Sequence, residues 1–88
     1  MIRKRVRVTG LVQGVYYRDT CRRAAVSRGV AGWARNRPDG SVEAVFEGHP
    51  DAVGALVAWA RRGPSKARVT GVDVVDEPPE GLTGFSIG

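Results

Sequence analysis

The order of the hydrophobic periodicities along this 88-residue chain leaves few folds open to it. Residues 3–12 alternate between apolar and polar positions, which is typical of a strand with one buried face. Residues 19–28 then place Cys21 and the alanines that follow it at helical spacing, with Gly29 positioned to end a helix. We therefore expect a strand followed by a short helix over residues 19–28.

The rest of the chain adds further strands and one more helix. The patterns predict strands at residues 30–36, 41–48 and 67–75, and a helix from Pro50 to the residue before Gly63. Pro38-Asp39-Gly40 joins the first two of these strands, because proline fixes φ and glycine supplies a positive φ. Residues 84–87 form a brief last strand or an irregular end.

The resulting order is β-α-β-β-α-β in one domain covering residues 1–88. Two helices can cover only one face of a sheet, so the other face is solvated. The compact solution is a ferredoxin-like α+β fold, a two-layer α/β sandwich with an antiparallel-dominated sheet and both helices on one face. In this fold the first strand lies between the third and the last.

The charge is distributed unevenly along the chain. Residues 1–37 carry ten Lys or Arg and one acid, whereas residues 38–88 carry four and eight. A basic half favours an anionic partner, such as nucleic acid or a phosphorylated small molecule. The alternative is that opposite charges meet across the open sheet face. That alternative pairs the first strand with its neighbours: Arg3, Arg5 and Arg7 with Glu43, Glu47 and Asp73.

The composition argues against several classes of protein. Cys21 is the only cysteine, so there is no internal disulfide and no cysteine-based metal cluster. No apolar run approaches the roughly 20 residues that a membrane helix needs. The charged start is followed by alternating residues, unlike a signal peptide. We expect a cytoplasmic protein without membrane association, and a monomer.

The stretch GLVQGVYYR, residues 10–18, lies where the first strand gives way to the first helix. A helix N-terminus presents unpaired N–H groups and positive potential, and glycines let such groups converge on one anion. Arg18 adds a planar, permanently charged fork suited to two phosphate oxygens. The stretch therefore indicates an anion cradle. The alternative is an ordinary connection in which the glycines only form a turn.

Asn36 stands at a predicted strand end, just before the turn. An asparagine at such a position is often a local turn-former. The functional interpretation is an amide that holds a water or a substrate oxygen.

Three stretches resemble those of the acylphosphatase family. Residues 10–18 resemble the signature G-x-V-Q-G-V-x-[FY]-R, and residues 32–42 resemble the second signature, G-W-x-x-N-x-x-[DE]-G-x-V. Residues 63–69 resemble a further feature, G-P-x-x-A-x-V. The match covers nearly the whole chain in order and spacing, and it also implies the ferredoxin-like fold.

The resemblance implies a hydrolase that cleaves the carboxyl–phosphate bond of acyl phosphates to a carboxylate and inorganic phosphate. It implies that Arg18 binds the phosphate group and that Asn36 orients the attacking water. It also implies a cradle built from backbone N–H groups of Gln13, Gly14, Val15, Tyr16, Tyr17 and Arg18. The mild departures from the family pattern, such as Leu11, leave the side chains of Arg18 and Asn36 in place. They affect only peripheral substrate preference.

The implied reaction explains why no other catalytic group is evident. The leaving group is a carboxylate, which departs without a proton, so no general acid is needed. Phosphoryl transfer requires mainly positioning and charge stabilisation, and phosphate oxygens can accept the proton of the water. We expect an enzyme with no cofactor and no metal, acting on a small-molecule acyl phosphate.

Two other functions remain open from the residues alone. One is a non-catalytic anion-binding module of the same fold. The other is single-stranded RNA binding on the open face, which usually needs exposed aromatics. The predicted outward positions carry none of these, so we do not expect nucleic acid as a partner.

The remaining notable residues have structural interpretations. We expect Cys21 to be a small buried hydrophobe and His49 to cap the second helix. Asp19 should point away from a bound phosphate, toward solvent or a cap. Trp33 and Trp59 are expected in the core, and Tyr16 and Tyr17 are expected to anchor the loop.

Overall fold

A computed structural model describes residues 1–88 as a five-stranded sheet with two helices. The elements are β1 (Ile2–Leu11), α1 (Tyr17–Ser27), β2 (Ala31–Asn36), β3 (Val42–Gly48), α2 (Pro50–Arg62), β4 (Arg68–Glu77) and β5 (Phe85–Ile87). The strand order is β4-β1-β3-β2-β5, and only β2 and β5 pair in parallel. The ferredoxin-like prediction is confirmed, with β1 between β3 and β4. The tail forms a fifth strand.

The ends of both helices lie close to those predicted from the sequence. α1 begins at Tyr17, two residues before the predicted start, because Tyr16 adopts a left-handed conformation that turns the chain into the helix. It ends before Gly29, whose φ is 67°. His49 caps α2 as predicted, since its Nδ1 accepts a hydrogen bond from the Asp51 backbone N–H at 3.2 Å. Neither helix is long and apolar enough to cross a membrane.

The core lies between the helices and one face of the sheet. Val6, Val8 and Phe46 come from the central strands, and Cys21 and Leu56 come from the helices; all are fully buried. Burial raises the pKa of the Cys21 thiol to about 12. The thiol therefore stays protonated, as expected for a small buried hydrophobe.

Ion pairs cover the other face of the sheet, as the charge pattern predicted. Arg3 is nearly completely buried and contacts Glu47 at 3.3 Å and Glu77 at 2.9 Å. Arg5 contacts Glu43 at 2.9 Å and Glu77 at 2.7 Å. The hydrogen bonds from Arg5 and Arg3 lower the pKa of the Glu77 carboxyl. Much of the basic charge of β1 is thus neutralised within the sheet.

Arg7 faces the predicted acidic residues but forms its ion pair outside that set. Asp73 lies opposite Arg7 in the register of β1 and β4, but the two side chains form no ion pair. The guanidinium of Arg7 contacts the Asp39 carboxylate instead. A long side chain can lean along its strand, and here it reaches the acidic residue in the turn between β2 and β3.

Trp33 lies on the open face of the sheet, so its prediction as a core residue was also wrong. Its neighbour Ala34 is fully buried toward the helices, and successive side chains of a strand point to opposite faces. Two guanidinium groups lie over the indole ring. The guanidinium carbon of Arg35 is 4.4 Å from the ring centroid and that of Arg5 is 5.4 Å from it. An aromatic residue therefore stands on the face where none was expected.

Residues 78–84, which we call the strap, cross from β4 to β5 on opposite edges of the sheet. Glu47, at the end of the central strand β3, accepts hydrogen bonds from the N–H groups of Glu80, Gly81 and Leu82 at 3.2, 2.6 and 3.1 Å. Burial by itself would raise the pKa of Glu47, but these three donors and Arg3 lower it. The ionised carboxylate fixes the strap midway along its course.

Candidate active site

A cavity of about 340 Å³ opens where three strands end and α1 begins. β1 and β2 both pair antiparallel with β3, and β5 runs parallel to β2, so the carboxyl ends of these three strands share one edge. The cavity is lined by Val12, Gly14, Tyr16, Tyr17, Arg18, Asp19, Asn36 and Ile87. Both predicted catalytic side chains, Arg18 and Asn36, lie on its wall.

The loop between β1 and α1 leaves a run of backbone donors free. The N–H groups of residues 13–19 have no backbone acceptor, and the first bond of the helix runs from the Thr20 N–H to the Tyr16 carbonyl. Gly14 has a φ of 74° and Tyr16 a φ of 63°, and these left-handed residues bend the loop. Unpaired donors beside a helix N-terminus form a suitable site for an anion.

Tyr17 anchors this loop to α2, as predicted for the tyrosines. Its buried hydroxyl donates a hydrogen bond to the Ala60 carbonyl at 2.7 Å, and its ring centroid lies 5.0 Å from that of Trp59. Burial raises the pKa of the Tyr17 phenol, which keeps the donor protonated. Gly63, with a φ of 69°, makes room for the ring, since a Cβ there would lie 2.9 Å from it.

Tyr16 does not act as an anchor, which corrects the prediction for this residue. Its side chain is 73% exposed at the mouth of the cavity, although it is adjacent to the buried Tyr17. Burial alternates along Val15, Tyr16 and Tyr17, so the ring of Tyr16 faces outward while its two neighbours are buried. The two neighbouring tyrosines therefore differ in role.

Arg18 reaches the cavity from the first turn of α1. Its Nη1 donates a hydrogen bond to the carbonyl oxygen of Gly88, directly after β5. That residue is itself held to the sheet, because the Gly88 N–H donates to the Ala34 carbonyl at 3.2 Å. The guanidinium is thus positioned by the sheet edge and keeps further N–H donors for a ligand.

Asn36 is the last residue of β2 and lies on the same strand face as Ala34. That face is the one covered by the helices, which places the amide beneath the start of α1. The amide makes no hydrogen bond within the protein, although it lines the cavity with Arg18. Its donor and its acceptor are both available to a water molecule or a substrate.

Gln13 and Val15 differ from the other predicted residues, because neither side chain lines the cavity. The Val15 side chain is buried in the core, so only its backbone faces the loop. The Gln13 amide donates two hydrogen bonds, to the carbonyls of Arg37 at 2.8 Å and Ser41 at 2.9 Å. Gln13 therefore fastens the loop to the turn that follows Asn36, a role that the sequence analysis missed.

The Gln13→Met substitution keeps the side-chain length and removes both donors. We expect kcat on an acyl phosphate to fall by up to about 30-fold, since two hydrogen bonds of about 1 kcal/mol each connect the two halves of the site. The measurement is steady-state kinetics, with Thr70→Val on exposed β4 as the control. In a double-mutant cycle with Asn36→Ala the losses should be less than additive. Additive losses would contradict a positioning role.

Asp19 also lines the cavity, which the prediction that it points away did not anticipate. Its carboxylate pairs with Arg23 one helical turn later, at 3.1 Å. This ion pair reduces the repulsion between Asp19 and an anion in the cavity. Val12 and Ile87 complete the wall, and the sequence analysis assigned no role to either.

Comparison with known proteins identifies the family of this chain. The family model described as "Acylphosphatase" matches residues 4–87. The chain is 54% identical over 86 residues to an acylphosphatase of Thermococcus kodakarensis, covering 98% of this chain and 94% of that one. It is 56% identical to an acylphosphatase of Gloeobacter violaceus, with 98% and 92% coverage.

A solved structure has the same fold. The crystal structure of acylphosphatase from Bacillus subtilis superposes with a TM-score of 0.96 at 37% identity, covering 100% of this chain and 99% of that one. The agreement extends over both signatures and the whole sheet. From sequence, fold and site together, the chain belongs to the acylphosphatase family.

Proposed function

We propose that the free N–H groups of residues 13–18 and the Arg18 guanidinium bind the phosphate group of the substrate, and that Asn36 orients the attacking water. The observation that carries this proposal is that Gly14, Tyr16, Tyr17, Arg18 and Asn36 line one cavity beside a run of N–H groups without backbone acceptors. Membership of the family gives the reaction itself, which is hydrolysis of an acyl phosphate to a carboxylate and inorganic phosphate.

The proposed roles account for each change in bonding. The water oxygen forms a bond to phosphorus as the bond between phosphorus and the acyl oxygen breaks. The carboxylate leaves with the electron pair of that bond and needs no proton. Asn36 holds the water in line, and a phosphate oxygen accepts the proton that the water loses. Arg18 and the backbone donors stabilise the charge on the phosphoryl oxygens.

We also propose that the enzyme works without a metal, as a single-domain cytoplasmic monomer. The cavity already supplies fixed positive charge from Arg18 and the helix N-terminus. The open sheet face is covered by its own side chains, since the apolar Val45 on that face is fully buried within the chain. The free, buried Cys21 suits a reducing compartment.

The test is release of inorganic phosphate from acetyl phosphate by the purified protein, with and without an excess of chelator. We expect equal rates in the two conditions, because the reaction step uses only this chain's donors and water. A rate that falls with the chelator and returns with a divalent cation would contradict the metal-free mechanism. Phosphate binding without turnover would indicate an anion-binding module instead.

A further inference from the structure

We propose that Tyr16 and Ile87 form an apolar rim that contacts the acyl group, so that these two side chains favour bulky apolar or aromatic acyl groups over the acetyl group. This inference rests on the proposed phosphate site, because the rim adjoins it. It assigns a specificity role to two side chains that the phosphate chemistry does not use.

Tyr16 is the first observation. It is the only residue other than glycine with a positive φ, at 63°. A bulky residue in the left-handed region costs about 1 kcal/mol or more and persists where the surroundings hold it. The same backbone turn leaves the ring 73% exposed at the cavity mouth. The protein therefore holds an aromatic ring in water beside the phosphate site at a conformational cost.

Ile87 is the second observation, and it comes from a different part of the chain. It pairs with Ala34 across the parallel β2–β5 contact, remains 41% exposed, and lines the same cavity. The next residue, Gly88, provides the carbonyl that accepts a hydrogen bond from Arg18. This bond fixes Ile87 immediately beside the guanidinium that we assign to phosphate.

The remaining groups of the cavity explain why the rim would receive the acyl group. Arg18 and the backbone donors are assigned to phosphate oxygens, and Asn36 is assigned to water. The substituent of the leaving carboxylate is then the one part of the substrate without an assigned contact. Two exposed apolar side chains gain most from covering an apolar substituent. The carboxylate of Asp19 would repel an acidic one.

The experiment compares benzoyl phosphate with acetyl phosphate and uses the ratio of their kcat/KM values. The change in this ratio from wild type to variant isolates the acyl contact, because a change in phosphate binding alters both substrates alike and the leaving-group acidities stay the same. Tyr16→Phe keeps the ring. Tyr16→Asn removes it with a residue that tolerates the left-handed conformation. Ile87→Ser removes the second side chain, and Val75→Ala, exposed on the opposite edge strand, is the control.

The wild-type ratio also contains the difference in leaving-group acidity between benzoate and acetate, so each variant is compared with wild type. Tyr16→Asn and Ile87→Ser should each lower the ratio about five- to tenfold, as for the loss of one aromatic contact. Tyr16→Phe and Val75→Ala should leave the ratio within about twofold of wild type, a range well below that loss. Unchanged ratios in both Tyr16→Asn and Ile87→Ser would overturn the proposal. A wrong assignment of the phosphate site would give a different result from a wrong assignment of the rim. In that case Arg18→Ala would keep full activity on both substrates.

Discussion

The Arg18→Ala variant should lose at least about 100-fold in kcat/KM for acyl phosphates, equivalent to about 3 kcal/mol of transition-state stabilisation. Arg18 is the one guanidinium that lines the cavity. In the proposed site its N–H groups meet the phosphoryl oxygens, so we expect its effect to be greatest where negative charge is redistributed. The measurement is the initial rate of phosphate release over a range of substrate concentrations.

One further variant separates charge from geometry at this position, and a second variant on the same helix is the control. Arg18→Lys keeps the charge but loses the planar fork, so we expect it to recover only part of the activity. Arg22→Ala removes an exposed arginine of the same helix that makes no ion pair, and should behave as wild type. Thermal unfolding of each variant controls for the lost bond to Gly88. An Arg18→Ala variant that folds and keeps most of its activity would refute the assignment.

The Asn36→Ala variant should show the second large effect, a loss of about 100-fold or more in kcat. The amide is free of any hydrogen bond within the protein, so its removal leaves no buried partner unsatisfied. In the proposed site phosphate binding depends on Arg18 and the loop, so we expect it to persist. We therefore expect the inhibition constant of inorganic phosphate to change by less than about threefold, far less than kcat.

The comparison of kcat with phosphate inhibition distinguishes a positioned water from a damaged site. Asn36→Asp keeps the shape but places a negative charge next to the phosphate, so it should weaken both turnover and phosphate binding. The Thr70→Val variant again serves as the control. If Asn36→Ala lost phosphate binding and turnover to the same degree, the role of this side chain would be structural.

The sequence predicted the elements well, because their periodicities are local. The alternation of β1 and the apolar stripe of α2 each identify one face of one element. The stretch from Gly10 to Arg18 and the position of Asn36 identified the loop and the strand end that meet at the cavity. Each of these features lies within one short segment and depends little on the rest of the chain.

The predictions that failed depend on contacts between distant segments. Trp33 looks like a core residue by its hydrophobicity, but the burial of Ala34 beside it decides which face it occupies. The bonds from Gln13 reach across to the β2–β3 turn. The position of Ile87 is known only once β5 pairs with β2. No local pattern encodes these three placements.

The difference between Tyr16 and Tyr17 has another cause. Two adjacent tyrosines have the same composition and propensity, and only the backbone angle at Tyr16 separates them. A glycine such as Gly14 indicates from the sequence that a positive φ is possible, whereas a tyrosine does not. Tyr16 with this angle directly precedes the helix, whereas Tyr17 is its first residue and is anchored on α2.

The strap limits how far the active-site edge can move. It links β4 and β5, which are separated by four strand spacings, or about 19 Å. Its seven residues and their end connections reach about 27 Å when fully extended. Glu47 holds the middle of this path, so each half has only a few ångströms of slack. Strand β5 can therefore open only slightly before the chain is taut, and the dimensions of the cavity are bounded from the opposite end of the molecule.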